Sequence, residues 1–247
     1  QVIIHIRLIF GQHYALKVEI AYNQNEKTGR NPAVEGNKKR NMNEIRIENW
    51  FELQKALFEG SLNPKINRYR SPYAFRGVQN NAYVLNTTLM RLGGEYSKLE
   101  HHLLRNFRKY AHRDVVERDS VWHWLAVAQH RGLPTRLLDW TYSPYVALHF
   151  ATSDIERFEV DGAIWMVNFK MTHRLLPQAF RYKLEEEGAD LFTVEMLSDI
   201  IDSLHDLDTY TEDDFAIFLE PPSIDDRIIN QYALFSMMSN CCLSFNA

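Results

Sequence analysis

The spacing of apolar and polar positions from about residue 42 onward predicts helices clustered in the middle of the chain, with short strands before and after them. Glu44 to Ile47 can form a strand, and Asn49 with Glu52 makes a capping-box-like start for a helix over Trp50 to Glu59, which Gly60 stops. After a loop through Asn63-Pro64, the stretch Tyr69 to Arg76 is apolar and aromatic, a strand that ends in an arginine with the flexible Gly77 behind it. In Glu95 to Arg113 the residues Leu99, Leu103, Phe107 and Tyr110 recur at helical spacing, and the other face is basic and rich in histidine. Asp119 or Ser120 caps a further helix, Val121 to Arg131, whose Val121, Trp124, Leu125 and Ala128 share one face.

Gly132 and Pro134 stop that helix, Thr135 to Trp140 can extend, and Ser143-Pro144 supplies an N-cap followed by proline at the first helical position. A helix over Ser143 to Ala151 follows. Downstream, Asp161-Gly162 precedes Ala163 to Phe169, the best buried-strand pattern in the chain. Thr193 to Leu207 patterns as an acidic amphipathic helix, Phe215 to Leu219 as a strand, Asp225 to Ala233 as a helix and Phe235 to Met238 as a last strand. Residues 241–247 lack any capping or closing signal and read as a frayed tail. Strands before and after a helical middle favour an α+β fold, with mixed small sheets and a central helical insertion, over a doubly wound sheet.

Composition narrows the setting. With 247 residues, 45% of them hydrophobic, the chain has ordinary globular make-up. Its two cysteines, Cys241 and Cys242, are adjacent and cannot frame a disulfide scaffold, which fits a reducing, cytoplasmic compartment. No run approaches the roughly 20 apolar residues of a membrane helix. The net charge of −4 conceals a basic N-terminal extension, residues 1–41, linker-like or non-native, ahead of a domain expected over residues 42–240. Glu185 to Asp226 carries 15 acidic residues and no lysine or arginine, which argues against a duplex nucleic-acid partner and fits contact with another protein.

Chemistry is sought first in familiar patterns, and several are absent: no phosphate-binding glycine loop, no G-x-S-x-G elbow and no H-E-x-x-H. His101, His102, His112, His123 and His130 are not joined by cysteine or carboxylate at ligand spacing, so no metal is expected. What remains is Arg76 at a strand end and the turn holding Arg131, Arg136, Asp139 and Thr141. Leu137, Leu138 and Trp140 flank those charges, and charges almost never bury unpaired. Two readings stay open: an Arg136 to Asp139 ion pair that locks a turn, or a site for phosphate or carboxylate, which suits the planar arginine fork. A third polar cluster is Arg227, Asn230 and Gln231, as an ordinary helix face or as part of such a site.

Phe75-Arg76-Gly77, the run Gln129-His130 through Gly132-Leu133-Pro134-Thr135-Arg136-Leu137-Leu138-Asp139-Trp140-Thr141, and Ser143-Pro144 with Ala147 to Ala151 together resemble the FRG domain, named for that triplet. The resemblance is strong over about residues 69–169, and Arg227-Ile228 with Gln231, Leu234 and Phe235 looks like an element found downstream in the family. Many members are bacterial. A fainter similarity joins the chain to ADP-ribosyltransferases of the arginine, serine, glutamate class. It implies an ADP-ribosyltransferase-like core, with Arg76 on the NAD pyrophosphate or ribose, Thr141 orienting the nicotinamide ribose and Gln231 in the place of the catalytic glutamate. The Ser-Thr-Ser element of that class is absent, and a neutral glutamine cannot act as a general base. Asp139 is the carboxylate that could replace it. The resemblances thus imply a pocket of Arg76, Gly77, His130, Arg136, Thr141 and Arg227, with Asp139 and Gln231 as catalytic candidates and NAD as substrate for transfer or hydrolysis. The alternative is a non-catalytic module that holds an anionic small molecule or a protein partner, away from membranes. A third reading makes Arg76, Arg136 and Asp139 a buried network that only fixes the core.

Overall fold

Hydrogen-bonded caps decide where the helices begin. The Asn49 side chain accepts from the Glu52 amide at 3.0 Å, Ser120 Oγ from the His123 amide at 3.2 Å and Ser203 Oγ from the Asp206 amide at 3.1 Å. A computed structural model describes residues 2–9, 15–22, 49–64, 67–111, 119–154, 156, 160–223 and 226–245. Its elements in chain order are β1 (Val2–Ile9), β2 (Ala15–Tyr22), α1 (Trp50–Phe58), β3 (Leu62–Asn63), β4 (Arg68–Tyr69), β5 (Tyr73–Val78), α2 (Tyr96–Tyr110), α3 (Val121–His130), β6 (Leu138–Thr141), α4 (Pro144–Thr152), β7 (Gly162–Asn168), α5 (Phe169–His173), α6 (Gln178–Glu186), α7 (Val194–Ser198), α8 (Leu204–Asp208), β8 (Ala216–Leu219), α9 (Asp226–Asn230) and β9 (Ala233–Met238). The fold is α+β. No helix among the described residues is long and apolar enough to cross a membrane.

The chain divides into two compact units, the first made of Gln1–Ser71, Phe75–Asn81 and Pro144–Val167, the second of Pro72–Ala74, Ala82–Ser143 and Asn168–Ala247. In the first unit β1 pairs antiparallel with β2, Val2 opposite Tyr22, and with β7, Val2 opposite Met166. The described part of residues 1–41 is therefore paired strand, in a segment that reads as linker-like from its sequence. The strand expected at Glu44 to Ile47 lies outside the described residues. Helix α4 presses on β5 and β7 through two glycines. A Cβ on Gly77 would stand 1.8 Å from the Ala147 carbonyl oxygen, and one on Gly162 would stand 2.7 Å from that of Ala151. Ala147 and Ala151, one turn apart on α4, complete this close approach of helix to strand.

In the second unit β6, β9 and β8 form an antiparallel sheet, with Leu138 and Phe218 both opposite Ser236. Helix α3 is buried continuously from Trp122 to Ala128 and so has no single core face, contrary to the periodic reading. Most of its buried residues share one apolar cluster with Leu104, Phe192, Leu197, Leu204 and Ile217. Helix α3 ends as its sequence requires: Gly132 at φ 82, with Leu133 N donating to Ala128 O at 2.9 Å and Gly132 N to Gln129 O at 3.0 Å, closes it in a Schellman motif.

Four expectations change. The acidic helix Thr193 to Leu207 is two short helices, α7 and α8, because Ser203 caps a fresh start and the Ile201 carbonyl accepts from Trp122 Nε1 at 2.7 Å. The helix expected over Asp225 to Ala233 ends at Asn230; Tyr232, at φ 49, turns the chain into β9. On α2 the core face is turned from the expected stripe: Leu99 and Tyr110 are exposed, Leu103 and Phe107 half-buried, and Glu100 is buried beside Leu104. The tail is packed, with Phe245 centred 5.4 Å from both Trp140 and Phe218, and Cys241 buried.

Candidate functional site

Arg136 enters the interior from an extended segment that precedes β6, in the second unit. Its side chain is 2% exposed. Nε donates to Glu100 Oε2 at 2.8 Å and Nη2 to the same oxygen at 2.6 Å, while Nη1 donates to Asp208 Oδ1 at 2.6 Å and to the Ser239 carbonyl at 3.3 Å. Burial alone would lower the guanidinium's pKa, but the facing carboxylates of Glu100 and Asp208 outweigh it and raise the pKa above its ordinary value. So Arg136 is ion-paired, as one sequence reading has it, but with Glu100 and Asp208. A ligand has no route to a fork so enclosed. The cavity beside it, lined in part by Leu85, Thr87, Cys241 and Phe245, measures ≈ 10 Å³, room for about one water and far short of a nucleotide. Burial also pushes the Cys241 thiol there up to about 12, so it stays protonated and inert at neutral pH.

Asp139 points to solvent from β6. Gln129 Nε2, near the end of α3, donates to both of its carboxylate oxygens at 3.0 Å, and Gln129 Oε1 in turn accepts from Thr135 Oγ1. This relay orients the carboxylate. Thr141 does something different: 5% exposed, it donates to the Gln231 carbonyl at 2.7 Å and accepts from the Ser143 amide at 3.0 Å. Thr141 and Gln231 thus meet through the main chain of residue 231. His130, half-buried, is the last residue of α3.

In the first unit Arg76 is half-buried on β5, next to Gly77, whose role is the helix approach already described. Arg227 lies on α9, and its side chain falls outside the described residues. The division between the units falls inside the signature run, between Ser143 and Pro144.

Residues 71–159 match the family model of the FRG domain. The chain carries an FRG domain. Neither a curated protein nor a solved structure matches the chain. The match falls within the span 69–169 that carries the sequence resemblance, and the geometry gives the FRG signature a physical meaning. Its glycine admits α4, its Gly132 closes α3, its Arg136 neutralises Glu100, and its Trp140 donates from Nε1 to Ser236 Oγ at 2.7 Å, tying β6 to β9.

Sequence reasoning missed Glu100 and Asp208. Glu100 left one signal, since it is the only acidic residue between Tyr96 and Tyr110 and lies among their apolar positions. Among the described residues no group of three or more His, Cys, Asp or Glu side chains is placed to hold a metal ion.

Proposed function

We propose that this FRG domain is a binding module for an anionic, nucleotide-like ligand of the NAD class, held by Arg76 and released unchanged. The observation that carries this reading is the difference in burial between two arginines of the signature: Arg136 is 2% exposed and bound by Glu100 and Asp208, whereas Arg76 is only half-buried. An arginine suits a phosphate group because its planar fork offers parallel donors, and Arg76 stands half-buried within β5. Absence of turnover follows from the side chains that a transferase would use. Thr141 has both its hydroxyl functions engaged within the fold, and Gln231 supplies no carboxylate. On this reading the likeness to ADP-ribosyltransferases extends to the plan of the core and to the ligand, not to the reaction.

A second reading has one observation in its favour. Gln129 holds the exposed Asp139 carboxylate by both oxygens, the kind of support a catalytic carboxylate needs. Asp139 would then stabilise the cationic sugar formed as nicotinamide leaves NAD.

Calorimetry with NAD and with ADP-ribose, on the wild type and on Arg76→Ala, separates the readings. The module reading expects both ligands to bind, about tenfold or more weakly in Arg76→Ala, with no nicotinamide released. No heat from either ligand overturns the nucleotide site. Nicotinamide release that Asp139→Asn abolishes puts the second reading in place of the first.

A further inference from the structure

The outward side of α2 is a continuous basic stripe. Lys98, His102, Arg105 and Lys109 follow one another at intervals of four, three and four residues, which places them on one helix face over about 16 Å. All four are exposed, as are the flanking His101 and Arg108. The one acidic residue of α2, Glu100, is turned inward to Arg136, so no carboxylate of the helix interrupts the stripe. Lys98 meets Glu95 at 2.6 Å and Arg108 meets Asp119 at 2.6 Å, both at its edges. Among the described residues Arg105 has no carboxylate partner, and Lys109 stands over the ring of its neighbour Tyr110 at 5.2 Å. Tyr110, 77% exposed, and Leu99, 45% exposed, add apolar area beside the charges.

The same unit carries the opposite charge. In the loop that leads into β8, Glu212, Asp213 and Asp214 are consecutive and exposed, and their carboxylates have no partner among the described residues. They belong to the stretch of 15 acidic residues without a lysine or arginine. Three consecutive carboxylates are opposite in charge to the row of cations on α2, so the two surfaces are complementary.

We propose that the α2 stripe is an interaction surface for a second copy of this chain, docking on that copy's Glu212-Asp213-Asp214 loop. Lys98, Arg105 and Lys109 face the three carboxylates, and Leu99 and Tyr110 become covered at the margin. The contact is electrostatic and at the surface, so it weakens as salt rises. This inference is independent of the nucleotide site.

Sedimentation equilibrium on the full chain tests it with two charge reversals, Arg105→Glu with Lys109→Glu, and Asp213→Lys with Asp214→Lys. Circular dichroism establishes that each is folded. The wild type is expected to self-associate at low ionic strength, with an association constant about tenfold or more lower at high ionic strength. Each reversed variant alone should be monomeric, because like charges then meet, and an equimolar mixture of the two should associate again. A monomeric wild type at low ionic strength overturns the proposal, as does a reversed variant that associates like the wild type. So does a wild type that stays monomeric while its stripe binds a mixed-sequence single-stranded oligonucleotide or polyglutamate, which would give the surface a different occupant.

Discussion

Glu100 and Arg136, 36 residues apart in sequence, form an ion pair in which each side chain is 2% exposed. It joins α2 to the segment entering β6, and Asp208 adds α8 through Arg136 Nη1 at 2.6 Å. Removing one member of such a pair leaves a charge in the interior, which costs about 3–5 kcal/mol where no other partner exists. Because Asp208 remains, Glu100→Ala is expected to lower stability by about 3 kcal/mol, read as a lower urea midpoint with an unchanged slope. Replacing both residues with methionine should recover part of that loss. A Glu100→Ala midpoint equal to wild type would contradict the structural role assigned to Arg136.

The glycine of the signature triplet is predicted to be intolerant for a reason separate from backbone freedom. Gly77→Ala drives a methyl group into the Ala147 carbonyl, 1.8 Å away, and α4 must move off β5. A loss of about 3 kcal/mol, or failure to fold, is expected in thermal unfolding. Gly132→Ala is the contrasting case. Nothing lies within 4 Å of its added Cβ, and only the positive φ of 82 is strained, a cost of about 1–2 kcal/mol. Equal effects of the two substitutions would show that the close approach to α4 is not the cause.

His173 gives the protein a pH dependence with a definite sign. Its Nδ1 lies 3.0 Å from the Asp190 carbonyl and its Nε2 accepts from the Phe218 amide at 3.0 Å, so the neutral ring fastens α5 to β8. Burial lowers its pKa from 6.5 to about 4. The unfolded chain therefore takes up the proton first, and this contribution is complete above about pH 6.5 and lost as the pH falls toward 4, to a total of about 3 kcal/mol. Urea unfolding at intervals across that window should show the decline, and His173→Gln should flatten it. A wild-type stability that is constant from pH 6.5 to 4 would contradict the assignment.

Legibility in the sequence followed the range of the interaction. Asn49, Ser120, Gly132 and Pro144 act on residues within a turn of themselves, and the boundaries they set for α1, α3 and α4 agree with those read from the chain to within one residue. The uninterrupted apolar run of β7 was equally plain. Thr193 to Leu207 keeps a helical period through a break, since Ile200 and Ile201 are apolar at the right spacing, yet the Ile201 carbonyl is taken by Trp122 from 79 residues away. Arg136 shows the same limit at the site. That it needed a partner could be read from its leucine neighbours, but nothing local distinguishes Asp139, three residues on, from Glu100 and Asp208, which tertiary packing supplies. The tail has no period at all, and Phe245 finds its place by packing against Trp140 and Phe218, two rings brought together by tertiary structure.

Equilibrium dialysis of the wild type against NAD labelled separately in its nicotinamide and adenine halves tests most directly whether the FRG domain binds without turnover. Binding without turnover predicts that both labels are retained by the protein in equal amounts and that the dialysate contains intact NAD. Retention of the adenine label alone, with nicotinamide free in the dialysate, would contradict it, and so would retention of neither.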